Sequence, residues 1–456
     1  MSAPADLYRR PAEQLAAGLA QGAFSARALL DHYLERIERL NPQVNAVVTL
    51  DPGAARAAEN SDARRRAGRA LGPLDGVPVT VKDNLLTQGC RATWGSPLYR
   101  DYVPDHDEAP VARLRAAGAV LIGKTNTPEL ALRGYTDNPV FGVTRNPWDL
   151  DLTPGGSSGG AAAALALGLC PLALATDGGG SIRRPAAYTG LVGLKPGGDR
   201  IPRADGFAAL MADCEVAGAL ARTVSGTRLM FEALAGTTVP EPAGPARVLV
   251  VERFGDAPVD PLMADRCREA GAQLAGLGHD VSAGPLPFAI DKAMDAWREA
   301  TLAGLAMLAE REPRFFELAA PDYAAQAQEG LALPAGSHDR IARAFAAFRA
   351  ETAKAFERTD VILTPVNAAP AWPIPEPYPG EIDGRPAGPR AHAVYTGWVN
   401  ACGHPAIALP ARPGEDGLPV GVQLVGPMNA DERLLAIAAT FEAAHPWADR
   451  WPELAD

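Results

Sequence analysis

The sequence predicts an α/β protein built on a largely buried sheet. Of its 456 residues, 47% are hydrophobic and 21% are charged, so the chain can bury a large core. Short apolar runs of strand length alternate with stretches of helical periodicity, an alternation typical of helices packed on a buried sheet. The predicted strands are 77–81, 119–122, 172–176, 247–251, 361–363 and 406–409.

The first helix of the prediction is amphipathic and begins after Ser25, a residue type that caps helix N-termini. It runs towards Leu40, and its spacing places apolar side chains on one face. These side chains are Leu29, Leu30, Tyr33, Leu34 and Ile37.

The most apolar run of the chain is 161–175. It is too short to span a bilayer and it contains Pro171. We therefore predict a buried helix followed by a strand, and no membrane association.

A second distinctive segment, 365–389, is crowded with proline and glycine and is predicted to be loop. Loops of this length in compact domains tend to be functional, which favours a lid or a pocket wall. A surface excursion without function is the alternative.

Composition excludes several classes of function. The net charge of −11 argues against a nucleic-acid partner. The five cysteines are far apart and form no Cys-x-x-Cys pair, so neither a zinc site nor a disulfide framework is predicted. This cysteine usage, and an N-terminus that does not resemble a signal peptide, favour a cytoplasmic protein.

Three short segments carry the candidate catalytic residues. Lys82 ends an apolar strand in 76–84, the pair Ser157 and Ser158 stands at a predicted helix start in 153–160, and Ser181 follows a glycine run in 176–183. A lysine and activated serines are what a nucleophilic hydrolase needs when its base is lysine instead of histidine.

Lysine is rare in this chain, with five lysines against 38 arginines. Arginine cannot lose its proton in a protein, whereas a lysine among apolar side chains can become a base. Lys82 follows the apolar strand 77–81, so we expect its amine to be partly desolvated. A strand-end lysine that reaches solvent is the alternative.

The glycine run before Ser181 can aim consecutive N–H groups at one point, as an oxyanion hole requires. The run consists of Gly178, Gly179 and Gly180. An ordinary tight turn is the alternative.

Two other motif matches lie in an unsuitable context. Residues 118–125 satisfy the phosphate-loop pattern, but the residues before Lys124 read as the strand itself, where a flexible loop is needed. Residues 155–160 satisfy G-x-S-x-G, but irregular sequence precedes them, where a nucleophile elbow needs a strand. An α/β-hydrolase esterase that uses Ser157 or Ser158 with His404 is kept as an alternative.

Together, these segments resemble the amidase signature family. The similar segments occur in the family's order and extend over essentially the whole chain. They are 76–84, 123–131, 136–139, 144–148, 155–160, 179–187, 190–196 and 418–426.

The resemblance implies the amidase signature fold, a single domain with a central mixed, twisted β-sheet between layers of α-helices. Within the domain 1–456 it implies N-terminal helices in 1–70 and a signature core with the catalytic residues in 71–235. A variable pocket region would follow in 236–400, and a C-terminal return to the core in 401–456. The oligomeric state would be a monomer or a homodimer.

The resemblance also implies a Ser–Ser–Lys triad without a metal or an organic cofactor. Ser181 would attack the carbonyl carbon, Ser157, held after a cis peptide bond, would relay the proton, and neutral Lys82 would be the base. The backbone N–H groups of the oxyanion hole would belong to Gly178, Gly179, Gly180 and Ser181. The supporting residues would be Asp177 and Arg183, which brace the loop, and Ser158, which would hydrogen bond to Lys82.

The substrate is less well defined by the sequence. An apolar acyl or aryl pocket could be walled by Tyr135, Phe207, Leu210 and Met211. Because no cationic clamp for a carboxylated substrate is apparent, we expect neutral amides, with aryl acylamides (anilides) and carbamates (urethanes) as subclasses.

Within the family, the segment 127–129 departs from the pattern of the amidase subunit of tRNA-dependent glutamine amidotransferases. This departure favours a free-standing hydrolase over a subunit of that complex. Three further departures, Gly178, Arg184 and 197–200, are expected near the substrate entrance.

Overall fold

A computed structural model of the protein describes residues 6–239 and 244–455. The helices in these residues are α1 (Ala12–Ala20), α2 (Ala26–Val44), α3 (Ala54–Arg66), α4 (Ala109–Ala116), α5 (Gly159–Ala166), α6 (Arg183–Thr189), α7 (Val224–Ala235), α8 (Pro261–Gly276), α9 (Asp291–Arg311), α10 (Phe315–Leu318), α11 (Pro321–Leu331), α12 (Ser337–Ala355), α13 (Gly397–Cys402) and α14 (Asp431–Ala444). The strands are β1 (Val47–Leu50), β2 (Pro78–Lys82), β3 (Val120–Thr125), β4 (Leu172–Asp177), β5 (Val192–Lys195), β6 (Val216–Ala221), β7 (Arg247–Val250), β8 (Asp280–Ala283), β9 (Val361–Pro365), β10 (Glu381–Ile382), β11 (Arg385–Pro386), β12 (Ala406–Pro410) and β13 (Gly421–Val425).

Eleven of these strands form one sheet in the order β1-β3-β2-β4-β6-β5-β12-β13-β9-β7-β8. Strand β2 is parallel to β3 and β4, and β7 is parallel to β8 and β9. The other neighbours are antiparallel, so the sheet is mixed. Helices flank this sheet, as expected for the predicted α/β class.

All six predicted strands are present, and the central ones are buried at every residue, as their continuous apolar runs require. Of the eleven strands of this sheet, the pattern missed β1, β5, β6, β8 and β13. The residues of β6 are mostly alanine and glycine, which have a low preference for strands. Its Gly218 shows why small residues are used, because a Cβ there would lie 2.3 Å from the carbonyl oxygen of Leu194 on β5.

The predicted amphipathic helix is α2. The Ser25 hydroxyl caps it by accepting a hydrogen bond from the N–H of Ala28 at 3.0 Å, and its apolar face is buried except for the half-buried Leu34. The apolar run 161–175 forms most of α5 and β4 and is buried throughout. Of the helices in the described ranges, none combines the length and the hydropathy that crossing a membrane requires.

The prediction that 365–389 is all loop is wrong in part, because β10 and β11 form a small hairpin within it. The turn between them is Asp383–Gly384, and both residues have positive φ, 53° and 67°. An Asp-Gly pair is a preferred sequence for this two-residue hairpin turn.

Candidate active site

The parallel pairing of β2 with β4 brings two polar side chains together. Lys82 is the last residue of β2 and Thr176 lies near the end of β4, and parallel strands end at the same edge of a sheet. Ser157 and Ser158 immediately precede α5, and Ser181 lies in the short loop between β4 and α6. The three sequence segments therefore meet at one end of neighbouring strands.

Lys82 is fully buried. Its Nζ lies 2.8 Å from Ser157 Oγ and 3.0 Å from Thr176 Oγ1. Burial lowers the pKa of Lys82 to about 7, against the opposing charges of Glu215 and Asp177. A large fraction of the amine is therefore unprotonated at neutral pH.

The peptide bond between Gly156 and Ser157 is cis. Ser158 does not hydrogen bond to Lys82, contrary to the expectation from the sequence. Its hydroxyl donates to the carbonyl oxygen of Thr176 at 3.2 Å, and its N–H donates to the carbonyl oxygen of Ser181 at 3.2 Å. The second partner of Lys82 is the hydroxyl of Thr176, for which the sequence suggested no role.

The loop that carries Ser181 is closed by a buried ion pair between Asp177 and Arg183. The Asp177 carboxylate accepts hydrogen bonds from the N–H groups of Gly180 at 2.6 Å and Ile182 at 3.0 Å. It also accepts from Arg183 Nε at 3.0 Å and Nη2 at 2.9 Å. Although burial opposes it, the Arg183 charge and these hydrogen bonds lower the pKa of Asp177 far below its ordinary value. The turn is thus held in one conformation.

Side chains from distant segments hold the glycine carbonyls of this loop. The indole Nε1 of Trp297 donates to Gly178 O at 3.0 Å. Gly179 O accepts from Thr396 Oγ1 at 2.8 Å and from Arg184 Nη1 at 2.9 Å. Because the carbonyl and the N–H of a peptide unit point in opposite directions, these bonds also orient the N–H groups.

The N–H of Gly180 is not available as an oxyanion donor, in contrast to the expectation, because it donates to Asp177. Within the described residues, the N–H groups of Gly178, Gly179 and Ser181 have no hydrogen-bond acceptor. Gly180 itself has a φ of 108°, and a Cβ there would lie 2.3 Å from Thr396 Oγ1, so the position requires glycine.

Ser181 is 7% exposed. Its hydroxyl has no hydrogen-bond partner among the residues that the structure describes, and this leaves it free to meet a ligand. Ser181 follows the three glycines at the point where α6 is about to begin.

A cavity of about 850 Å³ adjoins this loop. Gly134 and Tyr135 line it and also pack against Gly156. A Cβ on Gly156 would lie 3.0 Å from backbone atoms of both residues. Trp297 and Arg184 line it as well, so two of the three side chains that hold the glycine carbonyls also form part of the cavity wall. The proline-rich segment contributes Pro377, Tyr378 and Pro389.

Of the four predicted pocket residues, the structure places only Tyr135 in the wall of this cavity. Phe207 stacks on Trp94 with a ring-centroid distance of 4.7 Å, and Leu210 is buried in the same cluster. Met211 is core, and its Cε lies 2.3 Å from where a Cβ of Gly178 would be. Met211 therefore fills the space that a larger residue at position 178 would need.

The departure at 197–200 does not lie in the wall of this cavity. The N–H of Gly197 donates to Asp431 Oδ1 at 2.8 Å, and Arg200 pairs with Glu432 at the start of α14. Gly198 and Asp199 border a separate cavity of about 630 Å³. Residues 197–200 are therefore not part of the wall of the larger cavity, and their place near the substrate entrance stays a prediction.

His404 does not contact either serine of the esterase hypothesis. Its Nε2 lies 3.1 Å from Thr352 Oγ1, and its carbonyl oxygen accepts a hydrogen bond from Lys195 Nζ at 2.7 Å. Burial lowers the pKa of His404 to about 3. The basic side chain next to Ser157 is that of Lys82, whose Nζ lies 2.8 Å from Ser157 Oγ.

The match to a phosphate loop is likewise structural. Residues 120–125 are strand β3, and Lys124 is fully buried. Its Nζ donates to the carbonyl oxygen of Leu85 and to Thr87 Oγ1. The amine therefore links β3 to the segment that contains Leu85 and Thr87.

Sequence reasoning missed several residues that surround the site. They are Thr176, Trp297, Thr396, Asn400 and Arg390. Thr176 could have been found from its place at the end of a predicted strand beside that of Lys82. The other four lie within 236–400, the expected variable pocket region, and no local pattern marks them.

A sequence model described as Amidase matches residues 28–435. The putative amidase AmiB2 of Mycobacterium tuberculosis is 38% identical over 487 residues, which cover 99% of this chain and 99% of that protein. A glutamyl-tRNA(Gln) amidotransferase subunit of Symbiobacterium thermophilum is 36% identical over 482 residues, covering 95% of this chain and 96% of that protein.

Among solved structures, a bacterial aryl acylamidase of the amidase signature family superposes with a TM-score of 0.88. It is 26% identical, and the match covers 98% of each chain. The family match extends over nearly the whole chain, and the relatives match it from end to end. The chain therefore belongs to the amidase signature family and is an enzyme that hydrolyses C–N bonds of amides.

Proposed function

We propose that this amidase acts on linear amides through an acyl-enzyme formed on Ser181. The observation that carries the proposal is the fully buried Lys82, whose Nζ lies 2.8 Å from Ser157 Oγ. A lysine with a pKa of about 7 can act as a base at neutral pH, and a serine can pass its proton in either direction.

In the proposed mechanism, Ser157 donates its proton to the lone pair of neutral Lys82 and takes the proton of Ser181. The Ser181 oxygen attacks the carbonyl carbon. The free N–H groups of Gly178, Gly179 and Ser181 would stabilise the negative charge that develops on the carbonyl oxygen.

The leaving nitrogen must be protonated before it departs, because an amide anion is a poor leaving group. Ser157 returns the proton from Lys82 to this nitrogen, and the free amine leaves. Water then attacks the carbonyl carbon of the acyl-enzyme, and its proton passes through Ser157 to Lys82. The proton returns by the same route to Ser181 as the acid is released. The buried pair of Asp177 and Arg183 keeps the loop in place throughout.

We propose anilides as the preferred subclass, with carbamates also accepted. Support comes from the aromatic side chains of Tyr135, Trp297 and Tyr378 in the cavity wall, and from a volume that accommodates a small aryl amide. The similarity to an aryl acylamidase is consistent with this subclass.

The mechanism can be tested with a fluorophosphonate, which labels activated serines. Intact mass and peptide mapping should find one adduct, on Ser181. A Ser181→Ala variant should not be labelled, whereas the matched control Ser158→Ala should be. An adduct on Ser158 in the wild-type enzyme would contradict the assignment of the nucleophile.

The subclass can be tested by comparing kcat/KM for 4-nitroacetanilide, an aryl carbamate and short aliphatic amides. We expect the anilide and the carbamate to be cleaved faster. If aliphatic amides are hydrolysed at least as fast in matched assays, the aryl preference is wrong while the mechanism stands.

A second candidate is the amidase subunit of a glutamine amidotransferase complex, and the 36% identity to a glutamyl-tRNA(Gln) amidotransferase subunit supports it. The departure at 127–129 favours the free-standing enzyme. Release of ammonia from glutamine only in the presence of added partner subunits would favour the second candidate. Turnover of anilides by the isolated chain would favour the first.

A further inference from the structure

The wall of the large cavity is richer in arginine than the sequence suggested. Four arginines line it, and two of them are neutralised by carboxylates. Arg133 pairs with Asp322 at 2.8 Å, and Arg298 pairs with Glu329 at 3.2 Å. These two ion pairs balance the charges of Arg133 and Arg298. The other two arginines of the wall have no carboxylate partner among the described residues.

Arg184 is one of these. It is 5% exposed, and among the described residues it forms no ion pair. Its two Nη atoms donate to the carbonyl oxygens of Gly179 and Gly156, while its Nε is buried without a partner. Neutral carbonyl oxygens do not cancel its charge.

Arg390 is the other, and it is open to the cavity. Within the described residues, its guanidinium has neither a hydrogen-bond acceptor nor a carboxylate partner. It lies over the ring of Trp297 at 4.0 Å from the centroid. One face is therefore covered by the indole, while the N–H groups at the edge of the plane remain available.

Arg390 also lies close to the glycine loop, since a Cβ on Gly179 would be 3.4 Å from its Nη2. Gly179 stands two residues before Ser181, so the Cα atoms of these two residues are at most about 7 Å apart. A ligand whose carbonyl sits at Ser181 can thus reach Arg390 with a short chain.

A further unpartnered group lies beside these arginines. His392 lines the same wall, is 2% exposed, and has no hydrogen-bond partner for either ring nitrogen within the described part of the chain. Burial and the nearby charges of Arg184 and Arg390 lower the pKa of His392 well below its ordinary value, so it is a neutral donor and acceptor.

The balance of charge in the wall is positive, although the net charge of the chain is −11. Three carboxylates stand against the four arginines: Asp322 and Glu329, which pair with Arg133 and Arg298, and the lining residue Asp295. Asp295 lies on α9 and forms no ion pair with any other residue that the structure describes. A cavity whose wall carries an excess of positive charge favours an anionic ligand.

We propose that the substrate is a linear amide whose acyl chain carries a carboxylate, and that Arg390 binds this carboxylate. The proposal rests on the proposed function. It replaces the expectation of a neutral acyl group, which depended on the apparent lack of a cationic clamp. A planar guanidinium fixed on an indole presents the paired N–H groups that a carboxylate accepts.

The test compares two 4-nitroanilides of nearly equal shape. The glutaryl anilide carries a terminal carboxylate, and the 5-oxohexanoyl anilide carries a methyl ketone in its place. For the wild-type enzyme we expect kcat/KM to favour the glutaryl compound by about 10- to 100-fold, the range expected for a charge-assisted hydrogen-bonded pair.

Arg390→Gln should bring this ratio close to one, mainly through KM, and Arg390→Lys should retain part of the preference because it keeps the charge but loses the fork. The matched control is Arg298→Gln, which removes the same charge from the same wall. Because Arg298 is already paired, the control should keep the wild-type ratio within about twofold. A ratio near one in the wild type, or equal losses in Arg390→Gln and Arg298→Gln, would overturn the proposal.

Binding separates this proposal from the proposed function. In a Ser181→Ala background, calorimetry should show binding of the glutaryl anilide that is weakened by Arg390→Gln. If such binding is seen but the wild type cleaves neither anilide, the carboxylate subsite stands and the proposed hydrolysis fails. If the neutral anilide is cleaved and the glutaryl compound is neither preferred nor bound, the hydrolase stands and the subsite is refuted.

Discussion

Activity of this amidase should depend on the unprotonated amine of Lys82. Burial lowers the pKa of this group from 10.5 to about 7. The base form exists above the pKa, so kcat/KM should be constant at high pH. Below a midpoint near 7 it should fall tenfold for each pH unit.

The magnitude follows from the pKa shift. At neutral pH, a lysine with its ordinary pKa would be unprotonated in only about 0.03% of molecules, whereas half of the molecules have a neutral amine when the pKa is about 7. Burial therefore increases the population of molecules with a neutral Lys82 amine about a thousandfold. This larger neutral fraction depends on the burial of Lys82, because exposure to water would return its pKa towards the ordinary value.

The assay is kcat/KM for a neutral anilide, which does not itself titrate, from about pH 5 to about pH 10. Lys82→Arg should lose about 10²- to 10⁴-fold at every pH, because arginine keeps the charge but cannot accept the proton. Glu215 raises the pKa of Lys82. Glu215→Gln should therefore move the midpoint to lower pH, and Glu317→Gln, a change in an exposed pair, should not move it.

Three results would refute this reasoning. The first is full activity near pH 5, and the second is near wild-type turnover by Lys82→Arg. The third is an upward shift of the midpoint in Glu215→Gln, which would mean that the titrating group is not Lys82.

Three further predictions concern the surroundings of the site. Asp177→Asn should lower the free energy of unfolding, measured in urea, by about 3–5 kcal/mol, because it leaves Arg183 buried without its partner; an unchanged denaturation midpoint would contradict this. Gly180→Ala should reduce kcat by about 10²-fold or more, since the new methyl group would collide with Thr396 and displace the loop; wild-type turnover would show that the loop tolerates a side chain. His404→Ala should keep kcat/KM for an anilide within about threefold, after allowance for any loss of folded protein seen in a thermal melt, whereas an abolished turnover would revive a histidine-dependent mechanism.

The sequence by itself determined the local elements of this protein. Ser25 as a helix cap, the apolar run that forms α5 and β4, and the six predicted strands were all found from contiguous residues. Such features depend on hydrophobic periodicity and on capping, which act over a few residues. The linked motifs around Lys82, Ser157 and Ser181 were also sufficient to identify the family.

The tertiary structure decided which groups meet. The parallel pairing of β2 with β4 makes Thr176, and not Ser158, the second partner of Lys82. The N–H of Gly180 is used by Asp177, which only the closed turn reveals.

The tertiary structure also determines which residues form the wall of the cavity. Trp297, Thr396 and Arg390 reach the glycine loop from segments more than a hundred residues away. Whether an arginine is neutralised or left free depends on which carboxylate the fold brings within a few ångströms of it, and no pattern of neighbouring residues contains that information.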